Sequence, residues 1–185
     1  MENKTENLAA LTRPLDISEI EFRVGAVFKS GWATLLAYKT ARTDMSRLNE
    51  AFGVMGWERE HKEINGNLFC GITAHAQGRT ITKWDAGDDV ATSGVKGLAS
   101  DSFKRAGFNF GIGVELYAMP LMLVQLLDHE FYPDPRNASK AKATNKLRPN
   151  DWKWSMARDE EGNLLALTAV DPKNNNKLRY EWRGN

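Results

Sequence analysis

The residues best suited to chemistry lie in the segment SGVKGLASDSFKRAGFNFGIGVELY, from Ser93 to Tyr117. Asp101, Lys104 and Arg105 are spaced i, i+3, i+4, so on a helix the carboxylate can lie beside either base and hold its side chain in place. Lys96 falls roughly on the same side as Lys104. A row of fixed cations along a helix binds a phosphate backbone without reading its sequence. A solvent-facing amphipathic helix carries the same pattern, and its surface ion pairs contribute little. Asp85, Asp88 and Asp89 have the composition of a nuclease-type carboxylate cluster, yet they precede a helix N-terminus, where acids complement the helix dipole. His61, His75 and His129 are widely separated and lack metal-ligand spacing. Cys70, within Leu68-Phe69-Cys70-Gly71-Ile72, reads as a small buried thiol and not as a nucleophile. Gly107, Gly111 and Gly113 lack the dinucleotide-binding spacing and follow a helix, as close packing or a C-cap requires. No catalytic residue, metal ligand or cofactor is expected.

The elements that must position these residues can be read from periodicity. The cations ride on a helix from Ser93 to about Phe110, with Val95, Leu98, Phe103, Ala106 and Phe110 as its apolar stripe. Before it, Trp57 to Ile64, Asn67 to Ala76 and Arg79 to Asp85 read as a β-meander, joined at Asn65-Gly66 and Gln77-Gly78. Asp16 with Glu19 forms a capping-box pattern, which predicts a helix to about Phe28. Trp32 to Tyr38 reads as a strand, and Thr43 or Asp44 as the cap of a second helix that closes at Gly53. Leu121 to Leu127 is strand-like after Pro120. Residues 133–150 read as a basic linker or mobile loop. A small β extension over 151–185 follows, in which Trp152 and Trp154 share a face and form a minor core. The expected organisation is a flexible lead-in over 1–13, one core domain over 14–132, the linker, and the extension.

Composition narrows the function classes. The chain has 185 residues, 42% hydrophobic and 26% charged, an ordinary globular profile. The longest apolar run, about Leu121 to Leu127, is far short of the roughly 20 residues of a membrane span. The polar N-terminus lacks a secretory h-region, and a single cysteine suits a reducing compartment, so a cytoplasmic location is expected. The formal net charge of +1 excludes a uniformly basic coat. After Tyr132, however, eleven Lys and Arg face seven Asp and Glu, a balance of +4. Residues 23 to 47 carry Arg23, Lys29, Lys39, Arg42 and Arg47 against Asp44 alone. Such blocks suggest a charged face.

The core Ser100-Asp101-Ser102-Phe103-Lys104-Arg105-Ala106, then Phe110-Gly111-Ile112-Gly113 and Leu116-Tyr117, resembles the signature helix of the Rad-fifty-two-type single-strand annealing proteins, including their short bacteriophage relatives. Further pieces lie in the same order: Glu21-Phe22-Arg23-Val24; a strand ending at Tyr38; Arg47 to Gly53 with Gly56-Trp57; and Cys70-Gly71-Ile72 leading to Thr82-Lys83-Trp84-Asp85. The resemblance covers about residues 14 to 120.

The resemblance implies an α+β fold. A curved antiparallel β-meander would pack on a long signature helix, with short N-terminal helices and a C-terminal β-hairpin or meander extension. It implies a homo-oligomeric ring or filament that holds single-stranded DNA, presents its bases for pairing and anneals complementary strands in homologous recombination and repair. No nucleotide is hydrolysed and the protein is not an enzyme. A single-strand-binding protein is a candidate partner, no membrane is involved, and a phage origin would place it in the bacterial host cytoplasm or nucleoid. Lys104 and Arg105 match the family's inner-groove contacts, and Tyr38 and Arg23 further groove positions. Lys96 and Lys83 match an outer DNA site. Where some relatives carry another base one turn after the Lys-Arg pair, this chain has Phe108, so Arg42, Arg47 or the linker lysines are candidates to replace it. Two alternatives stay open: a metal-dependent DNA-processing enzyme using Asp85, Asp88 and Asp89, and a protein-interaction module whose basic face binds an acidic partner.

Overall fold

A computed structural model describes residues 6–88, 94–137 and 140–184. Asp89 and the expected helix start at Ser93 lie outside the described residues. The fold is α+β, with few helices and mostly antiparallel sheets. The chain forms two compact units, residues 1–15 with 39–117, and 16–38 with 118–185. The chain passes between units three times, and composition carries no mark of those crossings.

The first unit holds α1 (Ala9–Thr12), α2 (Ala41–Phe52), the strands β3 (Trp57–Ile64), β4 (Asn67–Ala76) and β5 (Arg79–Ala86), and α3 (Gly94–Asn109). The strands pair in the order β3-β4-β5. Asn65 and Gly66 both take positive φ, 53° and 78°, the turn that an Asn-Gly pair favours. Cys70, Ile72 and Ala74 alternate along β4 and are buried, and α3 packs against β4 and β5 with Ser102, Phe103, Ala106 and Gly107 buried. Their cluster includes Leu48, Ala51 and Ile112. Burial pushes the Cys70 thiol up to about 11, which leaves it unreactive.

Two expectations for this unit change. Val95 is exposed and not part of the apolar stripe. The α2 cap is Thr40, and neither Thr43 nor Asp44, because Asp44 is inside the first turn and engaged by Lys39.

The second unit contains β1 (Ile20–Val27), most of β2 (Trp32–Lys39), β6 (Met122–Gln125), β7 (Phe131–Pro133), β8 (Ala141–Ala143), β9 (Lys153–Arg158), β10 (Leu164–Asp171) and β11 (Lys177–Arg183). Its sheets run β1-β2-β6 and β11-β10-β9, with β7-β8 as a hairpin. The helix expected over 16–28 is absent. Glu19 does reach back to the Asp16 N–H at 2.9 Å, but the capping box sustains only the 3-10 turn Ile17–Glu19. Beyond it, Ile20, Phe22 and Val24 alternate with Glu21 and Arg23, and a period of two selects a strand. Gly25 permits close strand approach, since a Cβ there would stand 2.8 Å from Thr34 Oγ1.

Residues 133–150 are not a featureless linker. They carry β8 and run into the 3-10 turn Pro149–Asp151, and Asn150 Oδ1 accepts from the Phe22 N–H at 2.6 Å. A bridge also joins Phe28 to Lys140. The tryptophans act as a core: Trp154 stacks on Phe22 with centroids 3.5 Å apart, and Trp152 stacks on Trp154 at 6.2 Å.

Candidate nucleic-acid interface

On α3 the helical period sorts the motif into two sides. Ser102, Phe103, Ala106 and Gly107 seat the helix, while Asp101, Lys104 and Arg105 stay partly exposed. The sheet grips the helix through polar contacts as well. His61 Nε2 lies 3.1 Å from the Ala99 carbonyl, the Arg59 guanidinium lies 4.6 Å from the Phe103 ring centre, and Lys83 Nζ donates to the Asn109 carbonyl at 2.5 Å.

Each of the two adjacent cations has its own carboxylate. Lys104 Nζ stands 3.3 Å from Asp101 Oδ1, as the i, i+3 spacing requires. Arg105 turns instead to Asp85, with Nε donating to Oδ1 at 3.4 Å, and to Asp88 at 3.8 Å. The side chains are 24% and 38% exposed. Burial opposes the charge on Arg105, but Asp85 and Asp88 outweigh it and hold the guanidinium above its ordinary value. Exposed pairs of this kind are worth about 0–1 kcal/mol, so they order the cations without locking them away from a polyanion.

The other expected contacts divide between the units. Lys83 lies on β5, its ammonium 4.9 Å from the Phe110 ring centre. Lys96 and Arg42 are exposed, and among the described residues neither makes an ion pair. Tyr38 and Arg23 belong to the second unit and form a cluster of their own there. Tyr38 donates to Glu21 Oε2 at 2.6 Å, and the Arg23 guanidinium lies 5.7 Å from its ring centre. Burial, then the Glu21 contact, raises the Tyr38 hydroxyl above its ordinary value.

Arg47 is not a groove cation. It is 1% exposed and donates to the carbonyls of Ala10, Arg13 and Pro14 at 3.0 to 3.1 Å, fastening the N-terminal segment to α2.

The feature that sequence reasoning missed is Lys39. It is 1% exposed, donates to Asp44 and to the Lys104 carbonyl at 3.1 Å, and lies 4.0 Å from the Phe108 ring centre. A base does therefore meet Phe108, but it is sealed beneath the ring. The signal was present in β2, where Ala33, Leu35 and Lys39 fall on one alternating face.

Both oxygens of Asp85 are occupied by donors, from the Ala86 N–H, Arg105 and Asn109, whereas Asp88 is exposed and stands 3.8 Å from Arg105. Among the described residues no three His, Cys, Asp or Glu are grouped to hold a metal ion. No helix among them is long and apolar enough to cross a membrane. No family model matches the chain, and no curated protein or solved structure shows significant similarity to it.

Proposed function

We propose that this protein binds single-stranded DNA and anneals complementary strands in recombination and repair, without nucleotide hydrolysis. The observation that carries this reading is the pair Lys104 and Arg105, adjacent on the open side of α3 and each oriented by a separate carboxylate. The motif works as one device: its apolar and small residues seat the helix, and its charged residues present an ordered cationic edge. In this reading the β3-β4-β5 meander and α3 correspond to the family's curved sheet and signature helix. Lys83, Lys96, Arg42, Arg23 and Tyr38 are further DNA contacts.

Two complementary strands repel through their phosphates. Neutralising one strand while its bases face outward lowers the barrier to testing register, and stacking then drives pairing at about 1.4 kcal/mol per base-pair step. The working form is a homo-oligomeric ring or filament, in which repeated weak contacts gain through effective concentration. A near-neutral protomer suits that assembly, because highly charged copies repel. The site of action is the cytoplasm, that of the bacterial host or its nucleoid if the protein is of phage origin, with a single-strand-binding protein as a candidate partner.

The test is annealing of complementary oligonucleotides by wild type and by Lys104→Ala/Arg105→Ala. Annealing should be lost while assembly, seen by electron microscopy, persists. With about four phosphates neutralised per protomer, log affinity should fall with log salt at a slope near −3. Wild-type annealing rates in the double variant overturn the reading. So does failure of the wild type to bind oligonucleotides at low salt, which favours an acidic protein as partner. Magnesium-dependent cleavage abolished by Asp85→Ala favours the nuclease alternative.

A further inference from the structure

We infer that the second unit carries its own phosphate-binding track for single-stranded DNA, with Arg148 and Lys146 as its principal contacts beside Arg23 and Tyr38. This rests on the DNA-binding reading above and extends it to Lys146 and Arg148, which the family resemblance does not cover.

The backbone around Arg148 is fixed on both sides. Leu147 and Pro149 are buried, Asn150 bonds to β1, and Trp154 Nε1 donates to the Pro149 carbonyl at 2.8 Å. Between these anchors Arg148 is exposed, and one guanidinium N–H is spent on the Asn145 carbonyl at 3.0 Å. Its remaining donors border two clefts. One, of about 340 Å³, lies between Arg148 and the side chains of Phe22, Arg23 and Tyr38. The other, of about 500 Å³, runs past His129, Lys146, Trp152 and Lys173. Arg148 and Asp151 are common to both, so the two clefts share a wall.

The charges in the larger cleft can be assigned one by one. Glu130 and Asp171 are buried at its base and both are engaged by Arg179, at 2.6 Å and 3.3 Å. Asp151 is paired with Lys173 at 2.6 Å. Among the described residues Lys146 and Arg23 make no ion pair, and Arg148 acts on Asp151 only beyond ion-pair distance. The carboxylates are thus satisfied from within, and the excess charge at the rims is cationic. The larger cleft is open and mainly polar, which does not suit an apolar ligand. Cations spread across two adjoining clefts suit a flexible chain of phosphates better than a single anion, and the Tyr38 ring in the smaller cleft offers a face to an unpaired base.

The experiment measures binding of a fluorescent oligothymidylate to the full chain as salt is varied. Arg148→Ala/Lys146→Ala should reduce the slope of log affinity against log salt by about 1.4, at roughly 0.7 per lost phosphate contact. Carried to 0.1 M salt, that is about 25-fold weaker binding. The melting temperature should not move, since both side chains are exposed, and Arg148→Lys/Lys146→Arg should restore the slope. If Lys104→Ala/Arg105→Ala weakens binding while Arg148→Ala/Lys146→Ala leaves affinity and slope unchanged, this inference is wrong and the proposed function stands. If the wild type does not bind the oligonucleotide at all, both fall.

Discussion

Lys39 and Asp44 form an ion pair sealed inside the first unit, and Gly107 is the residue of α3 that leaves room for it. Their side chains are 1% and 0% exposed, and a Cβ on Gly107 would stand 2.0 Å from Asp44 Oδ1. Lys39 also donates to the Lys104 carbonyl. The pair therefore ties α2 and the end of β2 to the backbone of the residue whose side chain is the leading candidate for DNA contact. Burial works against both charges. It raises the Asp44 carboxyl to about 6, against the opposing pull of Lys39, and lowers the Lys39 ammonium despite Asp44. Asp44 Oδ2 has no hydrogen-bond partner among the described residues.

Such a pair orders the structure more than it stabilises it. Lys39→Met should cost about 3–5 kcal/mol, because it strands a buried carboxylate. Lys39→Met/Asp44→Leu should cost clearly less than Lys39→Met alone, since both desolvated charges go together. Denaturant unfolding of the wild type, Lys39→Met, Asp44→Leu and the double variant gives the cycle. A double variant no more stable than Lys39→Met would show the pair to be a net source of stability.

The same pair sets a pH dependence of defined sign. The folded Asp44 carboxyl titrates near 6, above its ordinary value of 3.8, so the folded state holds this proton more tightly than the unfolded chain. Its contribution is fully present below about pH 4 and is lost as pH rises through 6. The stability of the wild type minus that of Asp44→Asn should therefore increase as pH falls from about 6.5 to 4. The subtraction cancels the other carboxylates. A difference that shrinks over that range would mean that Lys39, and not desolvation, dominates the site.

The contrast between Lys104 and Lys39 shows which parts of the site were legible in the sequence. Asp101 beside Lys104 follows from helix spacing, a local relation, and the Asn65-Gly66 turn and the buried Cys70 strand are local in the same sense. Asp101 takes Lys104 of the two bases it could reach, and Arg105 turns to Asp85, twenty residues away on β5, because α3 packs against that strand. Lys39 and Arg47 have the composition of surface cations, yet Asp44 and three backbone carbonyls, all brought close by tertiary packing, draw them inside. The error over 16–28 is of the opposite kind. The capping box at Asp16 and Glu19 is a true helix-start signal, but the alternation of the next residues as a strand overrides it.

Gly107 gives a test in which helix propensity and packing oppose each other. Alanine in a helix interior is ordinarily favoured over glycine by about 0.5–1 kcal/mol. Here the added methyl meets Asp44 Oδ1 at 2.0 Å and Lys39 Nζ at 3.0 Å, neither of which has free space to move into. Gly107→Ala should lower the melting temperature, and Gly107→Ala on the Lys39→Met/Asp44→Leu background should lower it less. Equal losses on both backgrounds would place the clash elsewhere.

Asp85→Asn has opposite consequences under the two DNA-related readings, which makes it the most discriminating single substitution. Asp85 accepts from Arg105 at 3.4 Å and is 28% exposed, so the pair competes with a phosphate for the guanidinium. The amide keeps the size of the side chain, and with its oxygen in the Oδ1 position it still accepts from the Ala86 N–H, while the longer contact from Asn109 is given up. Removing the negative charge frees Arg105 at a cost to the fold of about 0–1 kcal/mol. If the helix edge tracks a DNA backbone, Asp85→Asn should bind single-stranded DNA about fivefold more tightly at low salt, the equivalent of about 1 kcal/mol. If Asp85 is a metal ligand of a DNA-processing centre, the same variant should lose magnesium-dependent cleavage and gain no affinity. Filter binding and a cleavage assay on one preparation separate the two. Tighter binding without cleavage in either protein is the expected outcome, because the three donors that reach Asp85, from the Ala86 N–H, Arg105 and Asn109, hold it as an orienting acceptor for the cationic edge.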